Sequence, residues 1–467
     1  MRPKLLLPFI ALLFVLTAAS ESTTSAQSKG VVITVNSVSD SFDAAPGNGR
    51  CADLAGKCSL RAAIAESNAS PAKDAIIFDV PVPAVITLDL GELTITNSVG
   101  IFGRGARNLT IQRNTAPNFN AFRIFNITAS VHLRGMTISN GRSFSVGGGI
   151  LTNSPIRVYD VAIKGNRAGF GGGFAIQGQG LPISASYIER CLIAENIADS
   201  QGGGMYIAPG MGITVMSTTI GYNSAPVGGG LAVFGGLALA NNTITANSAT
   251  QSASSIENST GGSIYVVNTI IGPDTHQSVS SLSGNFSSMG RNFVTNTTNS
   301  TGWGSSDITG TNNSIDPLLG PFTNNGGQTD SFALLQGSPA IDAGDLCVQI
   351  GLGCGSSGIF FDLYYDQQKS RRFFGNRPDI GALESGAQAS TVVTTHNLYS
   401  GMPTLANSRV TVTDTETMER RYYIVNTGLG TSAVSLDWNR VYLIEIATKR
   451  MGGFAPGLQT LGGAEFF

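Results

Sequence analysis

Charge is scarce in this chain: Asp, Glu, Lys and Arg together make up 12% of its 467 residues, against about 25% in an average globular protein. The formal net charge is −2, so no basic field is present to hold a polyanion, and nucleic acid is not an expected partner. Only three histidines occur, His132, His276 and His396, none beside a cysteine pair, which removes the usual donor sets of structural zinc. Long apolar runs are also missing after Leu5–Ala18, so no transmembrane helix is expected in the mature chain. Between 131 and 275 no segment has the periodicity of a useful amphipathic helix. Disorder is excluded in turn, because the low charge is combined with 42% apolar residues.

What is present begins with Arg2 and Lys4, the apolar stretch, and small residues at Ala19, Ser20 and Ala26. This is the pattern of a secretory signal peptide over 1–27, and it predicts a secreted or cell-surface protein. In an oxidising compartment the five cysteines resolve simply. Cys51 and Cys58, and likewise Cys347 and Cys354, stand seven apart and predict two local disulfides. Cys191 is left over and is expected as a buried, unreactive thiol.

Glycine is abundant, 59 of 467 residues, and much of it is ordered. Triplets recur at Gly147–Gly149, Gly171–Gly173, Gly202–Gly204 and Gly228–Gly230, each followed by apolar residues such as Phe174 and Ile176 or Met205 and Ile207. Asn-x-Ala recurs at Asn166, Asn196, Asn223 and Asn247. Counting back three, five, eight and ten residues from each Asn gives mostly apolar positions: Ile163, Val161, Val158 and Ile156 in one repeat, Ile220, Thr218, Val215 and Ile213 in another. That is two short period-two strands around a two-residue corner. The series extends upstream to Gly141 and downstream to Asp274, with landmarks 24 to 30 residues apart. A repeat of this length with three short strands is one coil of a parallel β-helix, here expected to number about ten coils. The strand positions are rich in Val, Ile and Thr, which suits a pleated, buried surface.

Open solenoid ends need covers. The segment CSLRAAIAESN, Cys58–Asn68, reads as a short capping helix with Ser59 as its N-cap. Near the other end stand DPLLGPFTNNGGQTDSFALLQGSPAIDAGDLC, Asp316–Cys347, and RPDIGALE, Arg377–Glu384. With these motifs the chain resembles exported bacterial right-handed parallel β-helix proteins that carry a CSLREA-type N-terminal motif and a choice-of-anchor-type C-terminal region. Ala62 stands where that motif has glutamate. The repeats are also similar to those of chlamydial polymorphic outer-membrane proteins. The resemblance covers roughly 31–386 and implies the fold rather than an activity.

The predicted organisation is therefore all-β: a right-handed parallel β-helix with a short N-terminal capping helix and a separate β tail. The expected parts are the signal peptide at 1–27, cap and first coils at 31–128, repeats at 129–300, C-terminal coils and closing region at 301–386, and a small β tail at 387–467.

Three features of the sequence bear on chemistry. The triplets, such as Gly171, Gly172 and Gly173, lack the following helix and lysine of a phosphate loop and read as corners. Asn166, Asn196, Asn223 and Asn247 read as an inward ladder of turn residues. The best polar cluster is Asp160 and Glu189 with Arg157 and Arg190, weak candidates for catalysis and expected as salt bridges at a solvated corner. The leading expectation is a non-catalytic, adhesin-like surface protein that contacts glycans or other surface partners. The alternative is a polysaccharide lyase or glycoside hydrolase on a pectate-lyase-like β-helix. No cofactor is expected, calcium entering only under the lyase alternative.

Overall fold

The computed structural model describes residues 30–274, 279–348 and most of 353–385, and beyond these the backbone of short strands between 393 and 460. The expected signal peptide over 1–27 lies outside the described residues.

The chain winds into a right-handed parallel β-helix with three faces. The first face is a ladder of ten strands from Val32–Val35 to Ser287–Gly290; the second has ten, from Ala84–Leu88 to Ile308–Thr309; the third has nine, from Leu93–Ile95 to Ser300–Thr301. Complete turns number about eight rather than ten. The difference arises because Val32–Val35 precedes the capping helix and the last second-face strands shrink to two residues.

Like residues stack in register. On the second face Ile111, Ile138, Ile163, Ile193, Ile220, Ile244 and Ile271 are successive partners. On the first face Ile101, Leu133, Val158, Ile188, Val215, Leu239 and Val266 do the same. These side chains are buried and join one continuous core. No coil could cover its apolar inner face alone, so stacking supplies the hydrophobic stabilisation.

The four central coils also carry a fourth ladder, Arg167–Phe170, Ile197–Gln201, Ser224–Val227 and Ser248–Ser252. Their sequences show no clean alternation, because each buries little more than the Ala after its first residue, or the equivalent in Ala225 and Ala249.

The helix Leu60–Ala69 covers the first coil. Ser59 Oγ accepts the Ala62 N–H at 3.1 Å, and Leu60, Ala63 and Ile64 join the core. Arg61 binds Asp40 and the carbonyls of Gly91 and Glu92. Ala62 is wholly buried; the helix's acid is Glu66, which accepts the N–H groups of Gly47 and Gly49. The Cys51–Cys58 and Cys347–Cys354 disulfides are both formed.

The closing region does more than cover an end: it folds back along the outside of the helix. A hairpin, Leu319–Thr323 with Ser331–Leu334, lays Phe322 against Ala162, Leu192 and Ala194 of the second face. Val348, Cys354, Phe361 and Leu363 pack on Met216, Ala238, Ala240 and Val267, on the outer side of the first face. The described strands of the tail pair antiparallel, for example Ser408–Asp414 with Arg420–Val425 and Tyr442–Ala447.

Candidate functional site

Between the first and second faces the chain turns on one residue per coil held at positive φ: Asp160 at 55°, Arg190 at 54°, Ser217 at 45°, Asn241 at 53° and Asn268 at 48°. Each stands six before its Asn or Asp landmark. Asn and Asp tolerate this conformation, while for Arg it is uncommon. The backbone turns sharply there and sends the side chain out of the solenoid, where the returning C-terminal segment meets it.

The contacts run down the corner in order. Asn268 Nδ2 donates to the Asp345 carbonyl at 2.9 Å, and its Oδ1 accepts the Asp345 N–H at 2.7 Å. Asn241 donates to the Asp379 carbonyl. Ser217 donates to the Tyr365 carbonyl and accepts from Arg372. Gln367 bonds to Thr219 and to the Cys191 carbonyl. Lys369 Nζ lies 3.6 Å from Asp160 Oδ2.

Asp160 is therefore no surface group; it is 1% exposed. Arg134 Nε and Arg190 Nε approach it at 3.0 and 3.1 Å. Burial alone would raise its carboxyl, but Lys369, Arg190 and Arg134 outweigh that and hold it well below the usual carboxylate range. Glu189 pairs with Arg190, so the two acids share one guanidinium. Arg157 stands in register with His132 and Tyr187, and its guanidinium lies over the Tyr187 ring, 6.0 Å from the centroid.

The solvated salt-bridge corner expected from sequence is thus a buried ionic lock beneath the returning segment around Lys369. Sequence reasoning missed Arg134 and Lys369: the first lies one coil away, the second over 200 residues away, and no local signal couples them. Around the lock, burial pushes the Cys191 thiol strongly up, and burial with neighbouring cations pulls His132 down to about 3. Neither is poised for proton transfer near neutral pH. Among the described residues no group of three His, Cys, Asp or Glu comes together to hold a metal.

The asparagines form a continuous inward ladder. Asn166 donates from N and Nδ2 to Asn196 Oδ1, both at 3.0 Å; Asn196 does the same to Asn223, and Asn223 to Asn247. Asn247 N–H ends on Asp274 Oδ1 at 3.2 Å. Beside them, the first glycine of each triplet has positive φ, 61° at Gly171. The N–H groups of Gly172 and Gly173 donate to Gly202 and Gly203 of the next coil, so they are not free to bind an anion.

The third face has a different character. The described contacts of residues 316–385 with the solenoid fall on the other two faces, their shared corner and, through Tyr222, the far edge of the second face. Its outward column runs Thr94, Asn126, Leu151, Ala175, Tyr206, Ala232 and Glu257. A groove of about 550 Å³ opens there, lined among others by Arg123, Asn126, Leu151, Asn153, Gln177 and Pro209. Glu92 and Glu257 lie near opposite ends of the face, six coil spacings apart, or about 29 Å at about 4.8 Å per coil. Compared with protein-family models, curated proteins and solved structures, the chain has no match in any of the three.

Proposed function

We propose that this β-helix is an exported, non-catalytic surface protein of adhesin-like kind, which contacts glycans or other surface partners through its third face. The carrying observation is the division of its outer surface among the described residues: the C-terminal segment packs on two faces, while the groove opens on the third. The signal-peptide pattern, the two disulfides and the CSLREA-like cap support export. The 316–386 segment supports the resemblance to choice-of-anchor regions, and the tail at 387–467 is proposed as a separate part.

The lyase or hydrolase alternative draws little support. Paired glycosidase carboxylates stand about 5–9.5 Å apart, far less than the separation of Glu92 and Glu257. Asp160 and Glu189 are close, but they are locked with arginines beneath covering chain. The test is incubation with pectic, other acidic and neutral polysaccharides, with and without calcium. Saturable binding without turnover supports the proposal; new unsaturated ends or reducing sugar overturns it.

A further inference from the structure

We infer that the third-face groove binds an uncharged saccharide chain laid along the solenoid axis; this rests on the glycan-contacting reading above and gives it a place and a ligand class. The groove's size suits such an occupant. Its volume of about 550 Å³ falls in the usual range for small-ligand sites, about 300–1,000 Å³. Its lining comes from four successive coils, those of Asn126, Leu151, Gln177 and Pro209, so it runs about 14 Å along the axis. An extended hexose chain advances by a similar step per sugar as the solenoid does per coil, so each coil can address one residue.

The chemistry selects the class. Asn153 and Gln177 are exposed amides on adjacent coils. An amide both donates and accepts, as a sugar hydroxyl does, whereas an anion would want donors only. The groove's one cation is neutralised: Arg123 Nη1 lies 3.6 Å from Glu92 Oε2, and Asn126 Nδ2 donates to Glu92 Oε1 at 2.8 Å. A neutral site gives no premium to uronates or sulfated glycans. Leu151 and Pro209 supply apolar surface. Beyond the groove's lining, the Phe170, Tyr206 and Phe234 rings, one from each of three successive coils starting with that of Ala175, form a ridge that steps from coil to coil with centroids 5.4 and 5.6 Å apart. Such rings suit the C–H face of a pyranose. Gly178 keeps the space open: even a Cβ there would stand 3.3 Å from that of Asn153.

The test is titration calorimetry of the full chain with neutral β-linked glucose and mannose oligomers, disaccharide to hexasaccharide, and with oligogalacturonates as the acidic comparison. Affinity is expected to rise with length to about three or four sugars, the groove's extent, and then level off. Asn153→Ala and Gln177→Ala, both at exposed positions, should each weaken neutral binding about fivefold. Asp199→Ala, on the fourth ladder and half exposed, should not. Glu92→Gln frees the Arg123 charge and should shift preference toward oligogalacturonate. Neutral binding untouched by both amide substitutions overturns the groove assignment and leaves the broader glycan reading standing. Tighter binding of oligogalacturonate by the wild type overturns the uncharged class. Binding of neither kind overturns the groove and the glycan reading together.

Discussion

Replacing Asp160 with Asn tests whether the corner cluster is a lock. The substitution keeps size and shape but removes one buried negative charge from among Arg134, Arg190 and Lys369, at 3.0, 3.1 and 3.6 Å. At an effective dielectric of about 20, each contact is worth about 5 kcal/mol of Coulomb attraction before desolvation is charged against it. Desolvation cancels most of that, yet breaking a buried pair from one side typically costs about 3–5 kcal/mol, because the partners remain buried and uncompensated. Glu189, already paired with Arg190, is the one acid of the cluster left to them.

The loss should fall first on the covering segment. Limited proteolysis and hydrogen exchange should show residues 363–372 opening in the variant while the Ile-stacked core stays protected. The pH dependence follows from the direction of the shift. Asp160 titrates lower folded than unfolded, so its contribution is full above the unfolded value near 4 and fades as pH falls through the folded one. The gap between wild type and variant should persist from pH 7 to about pH 4 and close only in stronger acid. A variant within about 0.5 kcal/mol of wild type, with the segment still protected, would refute the lock. A cycle with Lys369→Met would then locate any remaining coupling.

Three further outcomes are expected. Asn196→Ala removes the acceptor for the Asn166 N–H and the donor to Ile163 O; with about 1–3 kcal/mol per orphaned group, it should cost about 2–6 kcal/mol in urea denaturation and speed exchange of the Asn166 amide. Gly172→Ala would place a Cβ 2.4 Å from Ile197 O and 2.6 Å from Gly203 O, forcing coils apart at about 3 kcal/mol or more, read as a lowered Tm. Asp274 is pushed up to about 6 by burial, against hydrogen bonds from Ser254 and Ser255. The folded state therefore holds a proton that the unfolded chain has released between about pH 6 and 4, and stability should rise by up to about 3 kcal/mol as pH falls through that window. Asp274→Asn should flatten this slope in pH-dependent unfolding.

The repeat was legible because each coil must solve the same problem with the same residues. Inward positions need β-branched or aliphatic side chains, the bend needs an amide that can face inward, and the triplet needs a backbone without Cβ atoms. Each leaves a period in the sequence. The disulfides were legible for a local reason, a spacing of seven. The corner cluster was half legible: Asp160, Glu189 and Arg190 show by register, whereas Lys369 and the burial it brings depend on a segment that returns from far along the chain. The fourth ladder was hidden because its strands expose alternate positions without apolar contrast. The groove was hidden as well, since its amides sit in turns of unequal length that the period does not align.

The asparagine ladder has a direction. From one Asn to the next, every rung donates toward the C-terminal end and accepts from the N-terminal side, beginning with the Gly141 N–H on Asn166 and closing on Asp274, while Nδ2 of each also reaches back to an isoleucine carbonyl of the preceding coil. An ionised carboxylate accepts only, and Asp274 also takes the hydroxyls of Ser254 and Ser255, so its side chain has no donor to hand to a further rung. Asp274 thus acts as a stop mark in a polarised wire. Gain or loss of whole coils by duplication or deletion is compatible with the ladder anywhere upstream of it, and an array lengthened beyond it would have to begin a new wire.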